Sequence, residues 1–577
     1  MMERAGEFMW SEGSDDRATG SRLVAWDGRL DNGGDLAWRL AKPLSATTCD
    51  AALALAAYQR SGIAGLRDIV GDWSAVIHDA PARAVVLASD YAGVRPLYYH
   101  ARPGKVFWST RLEALVAATG ISALDEGYIG GFLTTGGCAN RTPYAGIFSV
   151  PAGHAVSVTA TEVTVRSFWT PPAGDSIRYH DERRYDEEVR ALFRDAVTVR
   201  LQTDGPVVAE LSGGLDSSSV VCMANHLIRT GAVPAPRLTT VSYVHRESTD
   251  VPFMREVETF CGIDGVHLST HEHPLVSEAH VGTARPEAWV PLHESAAMVA
   301  RRSGAKVFLT GQSGDLVMGN WFDDSVQVAA SLRRGRIGET CAQALAWSKV
   351  LRVPMTWILW QAVRTMLGAG GEPRALCAGE GVSSPARAEI SIDERFWKRM
   401  GRGDAHDAWS RDWMLAPPER RKHFQALARM RDLRTLQLPS ALRGLDYTHP
   451  FAHRPLVEFL MSMPADVLCR PGQPRRLMRR ALGPSWPPKL QARRSKSLFG
   501  APWNEALRPL ALRLLNARVL HVVERGWIDR PGLVSRLERL TQGLACNEPQ
   551  LRQIILLEHW LRCTAREAQP EGVLRTA

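Results

Sequence analysis

The sequence has little cysteine and none at its start: it begins Met1-Met2, and the first of nine cysteines is Cys49. No two cysteines form a Cys-x-x-Cys pair, so neither a zinc ribbon nor a disulfide framework is expected, and a reducing cytoplasm is the expected location. No apolar run is long enough for a membrane span. The first residues carry Glu3, Glu7 and Glu12 without an apolar core, so they do not read as a signal peptide. Like charge is never concentrated in a block. With 70 basic and 61 acidic residues the net charge is +9, which favours polyanionic ligands but gives no nucleic-acid tail, and no nucleic-acid partner is expected. At 577 residues, 45% of them hydrophobic, the chain exceeds what one core supports, so two or more domains follow.

What is present centres on Val207-Val208-Ala209-Glu210-Leu211 followed by Ser212-Gly213-Gly214-Leu215-Asp216-Ser217-Ser218. The apolar run reads as a buried parallel strand, and Ser219 to Ile228 as the helix after it. Between them, two glycines allow close backbone approach to a polyanion, while hydroxyls and the helix N-terminus supply donors. Asp216 would repel a bare phosphate, so a bridging Mg²⁺ is expected. The loop lacks the Gly-Lys-Ser/Thr ending of a P-loop, so the γ-phosphoryl need not be the transferred group.

Further strands are expected at Leu238 to Val244, Gly265 to Ser269 and Val307 to Thr310, alternating with helices as in a doubly wound parallel sheet. Val189, Leu192, Phe193, Ala196 and Val197 mark an amphipathic helix before the first strand. The fourth strand runs into Gly311-Gln312-Ser313-Gly314-Asp315, a second turn with a carboxylate on the same sheet edge. Expected nucleotide contacts are Leu211, Ser212, Gly213, Gly214, Leu215, Asp216, Ser217, Val241, Ser242, Gly311 and Gly314, with Asp216 and Asp315 sharing the metal.

The N-terminal 170 residues read as β-rich, with strands at Arg22 to Trp26 and Ala75 to His78 and a helix at Ala51 to Tyr58. Pro171-Pro172-Ala173-Gly174 reads as a linker. From Trp321 to Leu438 the pattern is helical, and its tryptophans 321, 347, 357, 360, 397, 409 and 413 are expected to fill a helical core. Gly368 to Ala386 reads as a loop. Downstream come Thr448-His449-Pro450-Phe451-Ala452-His453-Arg454-Pro455, then Arg475-Arg476-Leu477-Met478-Arg479-Arg480 and Arg493-Arg494-Ser495-Lys496, a basic surface able to hold pyrophosphate.

Ser-Gly-Gly-Leu-Asp-Ser resembles the pyrophosphate loop of the ATP-pyrophosphatase superfamily, whose members cleave ATP to AMP and pyrophosphate. Asp27-Gly28-Arg29-Leu30-Asp31-Asn32, Gly71-Asp72-Trp73 and Gly93-Val94-Arg95-Pro96-Leu97-Tyr98-Tyr99 resemble the class II glutamine amidotransferase domain of asparagine synthetases. Such domains use an N-terminal cysteine, so a glutaminase half starting Met1-Met2 is expected to be silent. The resemblance implies an α+β amidotransferase-like domain over 1–170. An α/β doubly wound ATP-pyrophosphatase domain follows over 180–577, with an enlarged helical insert at about 320–440. It implies ATP and Mg²⁺ as cofactors, and Arg479 and Lys496 as catalytic residues acting on the phosphates. Gln312 stands where asparagine synthetases carry a glutamate thought to act as base. Pro450-Phe451-Ala452-His453-Arg454-Pro455, the helical insert and Glu558-His559-Trp560-Leu561-Arg562 look most like lasso peptide isopeptide-bond-forming cyclases. That resemblance implies a precursor (core) peptide as substrate, with the leader peptidase of the same pathway as a candidate second partner. A β-lactam or carbapenam synthetase, an ammonia-dependent asparagine synthetase and a catalytically dead scaffold stay open as alternatives.

Overall fold

The computed structural model describes residues 5–9, 22–42, 49–137, 140–172, 177–276, 284–319, 325–367, 391–400, 421–432, 436–493, 500–544 and 549–567. In the N-terminal part, five antiparallel strands run in the spatial order Arg22–Leu30, Gly71–Asp79, Ala84–Ser89, His154–Val158, Val163–Ser167. A second antiparallel sheet joins Ala5–Met9, Lys105–Ser109, Tyr98–Arg102 and Phe148–Ser149. Alternate residues of both sheets, among them Val76, Val85, Leu87, Tyr99 and Val106, meet in one core, as period-two side-chain alternation requires.

The second part is built on a parallel sheet. Its strands are β1 (Val207–Glu210), β2 (Leu238–Val244), β3 (Gly265–Ser269), β4 (Val307–Leu309) and β5 (Asp446–Thr448), in the order β3-β2-β1-β4-β5. Helices α1 (Arg183–Arg200), α2 (Leu215–Arg229), α3 (Val251–Cys261) and α4 (Val290–Ser303) cover its faces. Val207 and Ala209 pack with Val189, Phe193, Val220 and Val257, whereas Val208 packs with Val241, Leu292, Ala296 and Phe308. Both faces are thus dry, which is why β1 reads as a continuous apolar run rather than an alternating one.

The fifth strand is absent from the sequence expectation. Its three residues are divided between two tasks. Asp446 accepts from Arg29 at 3.0 Å and from Arg95, and Thr448 Oγ1 accepts from Arg200 Nε at 2.9 Å and donates to Asp72 at 2.7 Å. Arg29 and Asp72 lie on strands of the N-terminal part and Arg95 in the loop between its strands Ala84–Ser89 and Tyr98–Arg102, so residues of the glutaminase-like motifs grip β5. Tyr447, between the two anchors, points the other way, to the cavity described below. Arg200 is buried and also reaches Asp72 at 3.3 Å. Burial alone raises the Asp31 carboxyl, but Arg29, a hydrogen bond from His453 and Arg200 overcome it and hold the group at about 2. Burial acts likewise on Asp72, where Arg200 and Arg29 win and keep it well below the usual carboxylate range.

In the helical insert, the helix Ser325–Arg333, α5 (Ile337–Leu351) and α6 (Met355–Met366) pack together around Val328, Ala329, Ala344, Trp347, Ile358 and Ala362. The expectation that its tryptophans fill a core holds for Trp347 alone among those described: Trp357, Trp360 and Trp397 are 38, 53 and 39% exposed. Each helix of so small a bundle turns only one face inward, and Trp357 and Trp360 lie off that face of α6, while Trp397 sits on the separate helix Glu394–Met400. Trp321, Trp409, Trp413 and the loop Gly368 to Ala386 lie outside the described residues.

Candidate active site

The phosphate loop lies at the carboxyl end of the central strand β1, where ligands bind in open α/β sheets. The Ser212 N–H donates to Ser217 Oγ at 3.0 Å, the two hydroxyls lie 3.0 Å apart, and the Gly214 N–H donates to Ser212 Oγ at 3.4 Å. Leu211 is tied to β2, its N–H donating to the Val241 carbonyl at 2.9 Å. Gly213 has φ +69°, and a Cβ there would meet the Asp250 carbonyl oxygen at 2.9 Å. Only glycine suits that turn. Gly214 is the N-cap of α2, with Leu215 and Asp216 in its first turn.

The second turn packs directly on the first. A Cβ on Gly311 would fall 2.5 Å from the Ser217 nitrogen, and one on Gly314 would fall 2.2 Å from Asp216 Oδ1. Asp216 is thereby brought against the turn that carries Asp315. Arg475 donates to Asp216, and burial of its guanidinium is outweighed by Asp216 and Asp315, which raise its affinity for its proton. Both carboxylates act on the Arg475 guanidinium and are oxygen donors of the kind Mg²⁺ takes; with no cluster of three metal-ligating side chains among the described residues, further ligands would have to come from the nucleotide phosphates and water. The buried Ser242 and Ser313 hydroxyls have no hydrogen-bond partner among the described residues, which fits a polar ligand yet to be accommodated.

The arginine block departs from expectation. Arg476 and Arg480 are paired with Glu182 at 2.7 and 2.6 Å, and Arg480 also with Asp186 at 2.8 Å. Arg493 is buried, stacks on Phe253 at 4.1 Å, and donates to the Gly213 carbonyl and to Asp250. Arg479, expected on the phosphates, gives donors to the backbone carbonyls of Gln491 (3.2 Å) and Arg493 (2.7 Å). Its guanidinium holds down the segment that Arg493 anchors to the phosphate loop. These arginines are therefore clamps more than an open basic surface. Lys496 and Arg494 lie outside the described residues.

Beside the phosphate loop opens a cavity of about 380 Å³. Leu211, Ser212, Val241 and Gln312 form one side. Asp216, Asp315, Ser242, Gly311 and Gly314 are not among its lining residues. Of the insert at about 320–440, Gln437 and Pro439 line it, and the rest of that wall comes from the N-terminal domain, through Tyr128, Gly136 and Gly137, and from the segment leading into α4. That segment supplies Arg285, Glu287, Trp289 and, one turn into α4, His293. Glu287 accepts from the Ser440 N–H at 3.4 Å and hydroxyl at 3.1 Å, and Arg285 donates to Gln437 Oε1 at 3.1 Å. Tyr243 donates to Glu210 at 3.3 Å, and burial together with Glu210 pushes both Tyr243 and Tyr447 up, so each stays a phenol.

Residues 188–562 match the asparagine synthase family, and residues 16–169 match a glutamine amidotransferase domain. The chain belongs to the asparagine synthase family. Its parallel sheet and preceding β-sandwich are the fold expected from the motifs. Among relatives of this family member, amidase chyE of Penicillium rubens is 27% identical over 297 residues, covering 46% of this chain and 42% of that protein. The glutamine-hydrolyzing asparagine synthetase 3 of Bacillus subtilis is 29% identical over 173 residues, 28% of this chain and 27% of that protein. Carboxyethyl-arginine beta-lactam-synthase of Streptomyces clavuligerus is 32% identical over 182 residues, 30% of this chain and 32% of that protein. The chain spans less than half the length of each of these relatives.

The motif reading missed Glu210, Asp250, Arg285, Glu287, His293 and Tyr447. Only Glu210 carried a visible signal, a carboxylate ending an otherwise apolar strand. The others become neighbours only through the sheet order and the docking of the N-terminal domain.

Proposed function

We propose that this protein is an ATP-dependent amide ligase that activates a carboxylate of a ribosomal precursor peptide as an acyl-adenylate and closes a macrolactam with the peptide's own N-terminal amine. The observation that carries this reading is one cavity lined on one side by phosphate-loop residues and on the other by charged and aromatic groups suited to a substrate. The carboxylate attacks the α-phosphorus of ATP, pyrophosphate leaves, and the amine then displaces AMP. Mg²⁺, when bound, supplies positive charge between Asp216, Asp315 and the phosphates. Leu211 to Ser217 orient the nucleotide, and Val241 and Ser242 flank it from β2. Arg479 fixes the chain ahead of Lys496, whose ammonium is suited to stabilise charge on the departing phosphates. Holding both reacting ends in one enclosed space contributes on the order of 7 kcal/mol through proximity.

The test is mass spectrometry of a leader-free precursor peptide incubated with ATP and Mg²⁺. A product lighter by one water, with AMP and pyrophosphate accumulating, is expected. ADP, or a linear peptide bearing a primary amide, would reject it. A second reading, closure of a small β-lactam-type ring, is favoured by the 32% identical beta-lactam-synthase and by a cavity of about 380 Å³, a size that suits a small molecule. Amino-acid-derived β-amino acids in place of the peptide separate the two.

A further inference from the structure

We propose that His293 takes the proton from the substrate amine as the new C–N bond forms, with Glu287 beside it orienting that amine; this rests on the amide-ligase reading above. The amide step needs an acceptor for one amine proton, and Gln312, which lines the same cavity, has no basic atom. Three observations single out His293. Its Nδ1 is buried with no hydrogen-bond partner among the described residues, although most buried polar atoms are paired. The ring lines the cavity together with Glu287 and Gln312. And it sits in the first turn of α4, whose fourteen residues start at Val290, where the helix's positive end helps keep the resting ring neutral.

Burial keeps this imidazole neutral, pushing it down to about 4, while Glu287 pulls it the other way. A neutral ring is the state that can accept a proton. The groups around it are Glu287 and Arg285 on its own segment, Tyr243 and Glu210 on β2 and β1, and Tyr447 on β5. Both tyrosines are held as phenols, so neither competes for the proton. Glu210 is engaged by the Tyr243 hydroxyl, and Glu287 by Ser440.

The step balances without any further reactant. The neutral amine attacks the acyl carbon, and its nitrogen becomes positive as the C–N bond forms. That positive charge makes the N–H acidic enough for a weak base, and the proton passes to His293 Nδ1. The C–O bond to the AMP phosphate breaks with its electron pair, giving amide, AMP and imidazolium, which returns its proton to solvent. Glu287 accepts the second N–H of the amine and steadies the imidazolium.

The experiment separates the two half-reactions in the full-length chain. ATP–pyrophosphate exchange with a candidate peptide reads adenylation, and mass spectrometry reads the amide. His293→Ala and His293→Asn should retain exchange but slow amide formation by about 100-fold or more, the usual range for losing a positioned base. Added imidazole should restore part of the rate to His293→Ala, which a structural role would not allow. Amide formation within a few-fold of the unaltered chain, equal loss of both half-reactions in a folded variant, or absence of imidazole rescue would overturn the proposal. Failure of exchange in the unaltered chain would instead reject the amide-ligase reading itself.

Discussion

Replacing Asp72 with asparagine tests the grip on β5 at the atom where its threads meet. Asp72 accepts from Arg29 at 2.8 Å, from Arg200 at 3.3 Å and from Thr448 at 2.7 Å, with its carboxylate almost wholly buried. The asparagine is isosteric and can still accept the Thr448 hydroxyl, but its amide nitrogen replaces the oxygen that accepts from Arg200, so the perturbation removes the charge and one acceptor. Breaking a buried ion pair by removing one partner typically costs 3–5 kcal/mol, because the other charge stays desolvated. Here Arg29 keeps Asp31 at 2.6 Å and Asp446 at 3.0 Å, while Arg200 keeps only Asp31 at 3.9 Å. The loss should therefore fall at the low end, about 3 kcal/mol. Urea denaturation followed by tryptophan fluorescence reads it, since Trp73 and Trp169 are buried in the N-terminal domain. Arg200→Met should cost a similar amount. The double variant should cost at least about 1 kcal/mol less than the sum of the two, because neither charge is then left alone. A loss under about 1 kcal/mol for Asp72→Asn, or strict additivity, would refute the view that this network fixes β5.

The remaining predictions address acid, metal and packing. His449 is fully buried, bonded to Thr310 Oγ1 at 2.7 Å and the Leu436 carbonyl at 2.8 Å, and burial lowers it to about 4. Because the unfolded chain binds this proton at about 6.5 and the folded one does not, the contribution of His449 to stability should fall by roughly 3 kcal/mol as pH drops from about 6.5 to 4, read as the difference between the pH profiles of the unaltered chain and His449→Gln, since Asp90, raised to about 7, acts in the opposite direction over the same range. Asp31, lowered to about 2, should extend the loss below about pH 4; identical pH profiles for the unaltered chain and His449→Gln between pH 7 and 4 would contradict the first assignment, and a midpoint flat below pH 4 the second. Asp216→Asn and Asp315→Asn should each abolish ATP–pyrophosphate exchange while leaving the thermal midpoint within a few degrees, and retention of normal exchange in either would remove that residue from the metal site. Gly311→Ala places a methyl 2.5 Å from the Ser217 nitrogen, so it should cost about 1–3 kcal/mol and depress nucleotide binding measured by calorimetry.

Much of this molecule was legible along the chain because its signals are local. A dry parallel strand, a double-glycine turn and an apolar helix in succession locate β1 and α2 without knowledge of anything else. The arginines show the opposite case. Arg476 and Arg480 read as phosphate-binding charge, yet Glu182, their partner, lies 294 and 298 residues away in sequence, and only the folded chain shows them neutralised. Strand β5 escaped for a related reason: three residues, two of them polar, have no periodicity to detect. Asp446 is half-buried and Thr448 buried, each held by side chains of a distant domain, Arg29 and Arg95 on the one and Asp72 on the other. The tryptophans of the insert were misjudged because aromatic content measures available area, not whether a second layer exists to cover it.

The alternation along β5 also bears on how such chains can be recombined. Asp446 and Thr448 face one neighbour's charges and Tyr447 faces the cavity, so the N-terminal domain and the catalytic floor share a single three-residue ruler. A chimera taking its N-terminal half from one homologue and its second half from another inherits six interlocking choices: Arg29, Asp72, Arg95, Arg200, Asp446 and Thr448. Exchanged as a set they travel; exchanged singly they strand a desolvated charge at the seam. Silent as its glutaminase motifs are expected to be, the N-terminal domain is not a passenger that an engineer can trim.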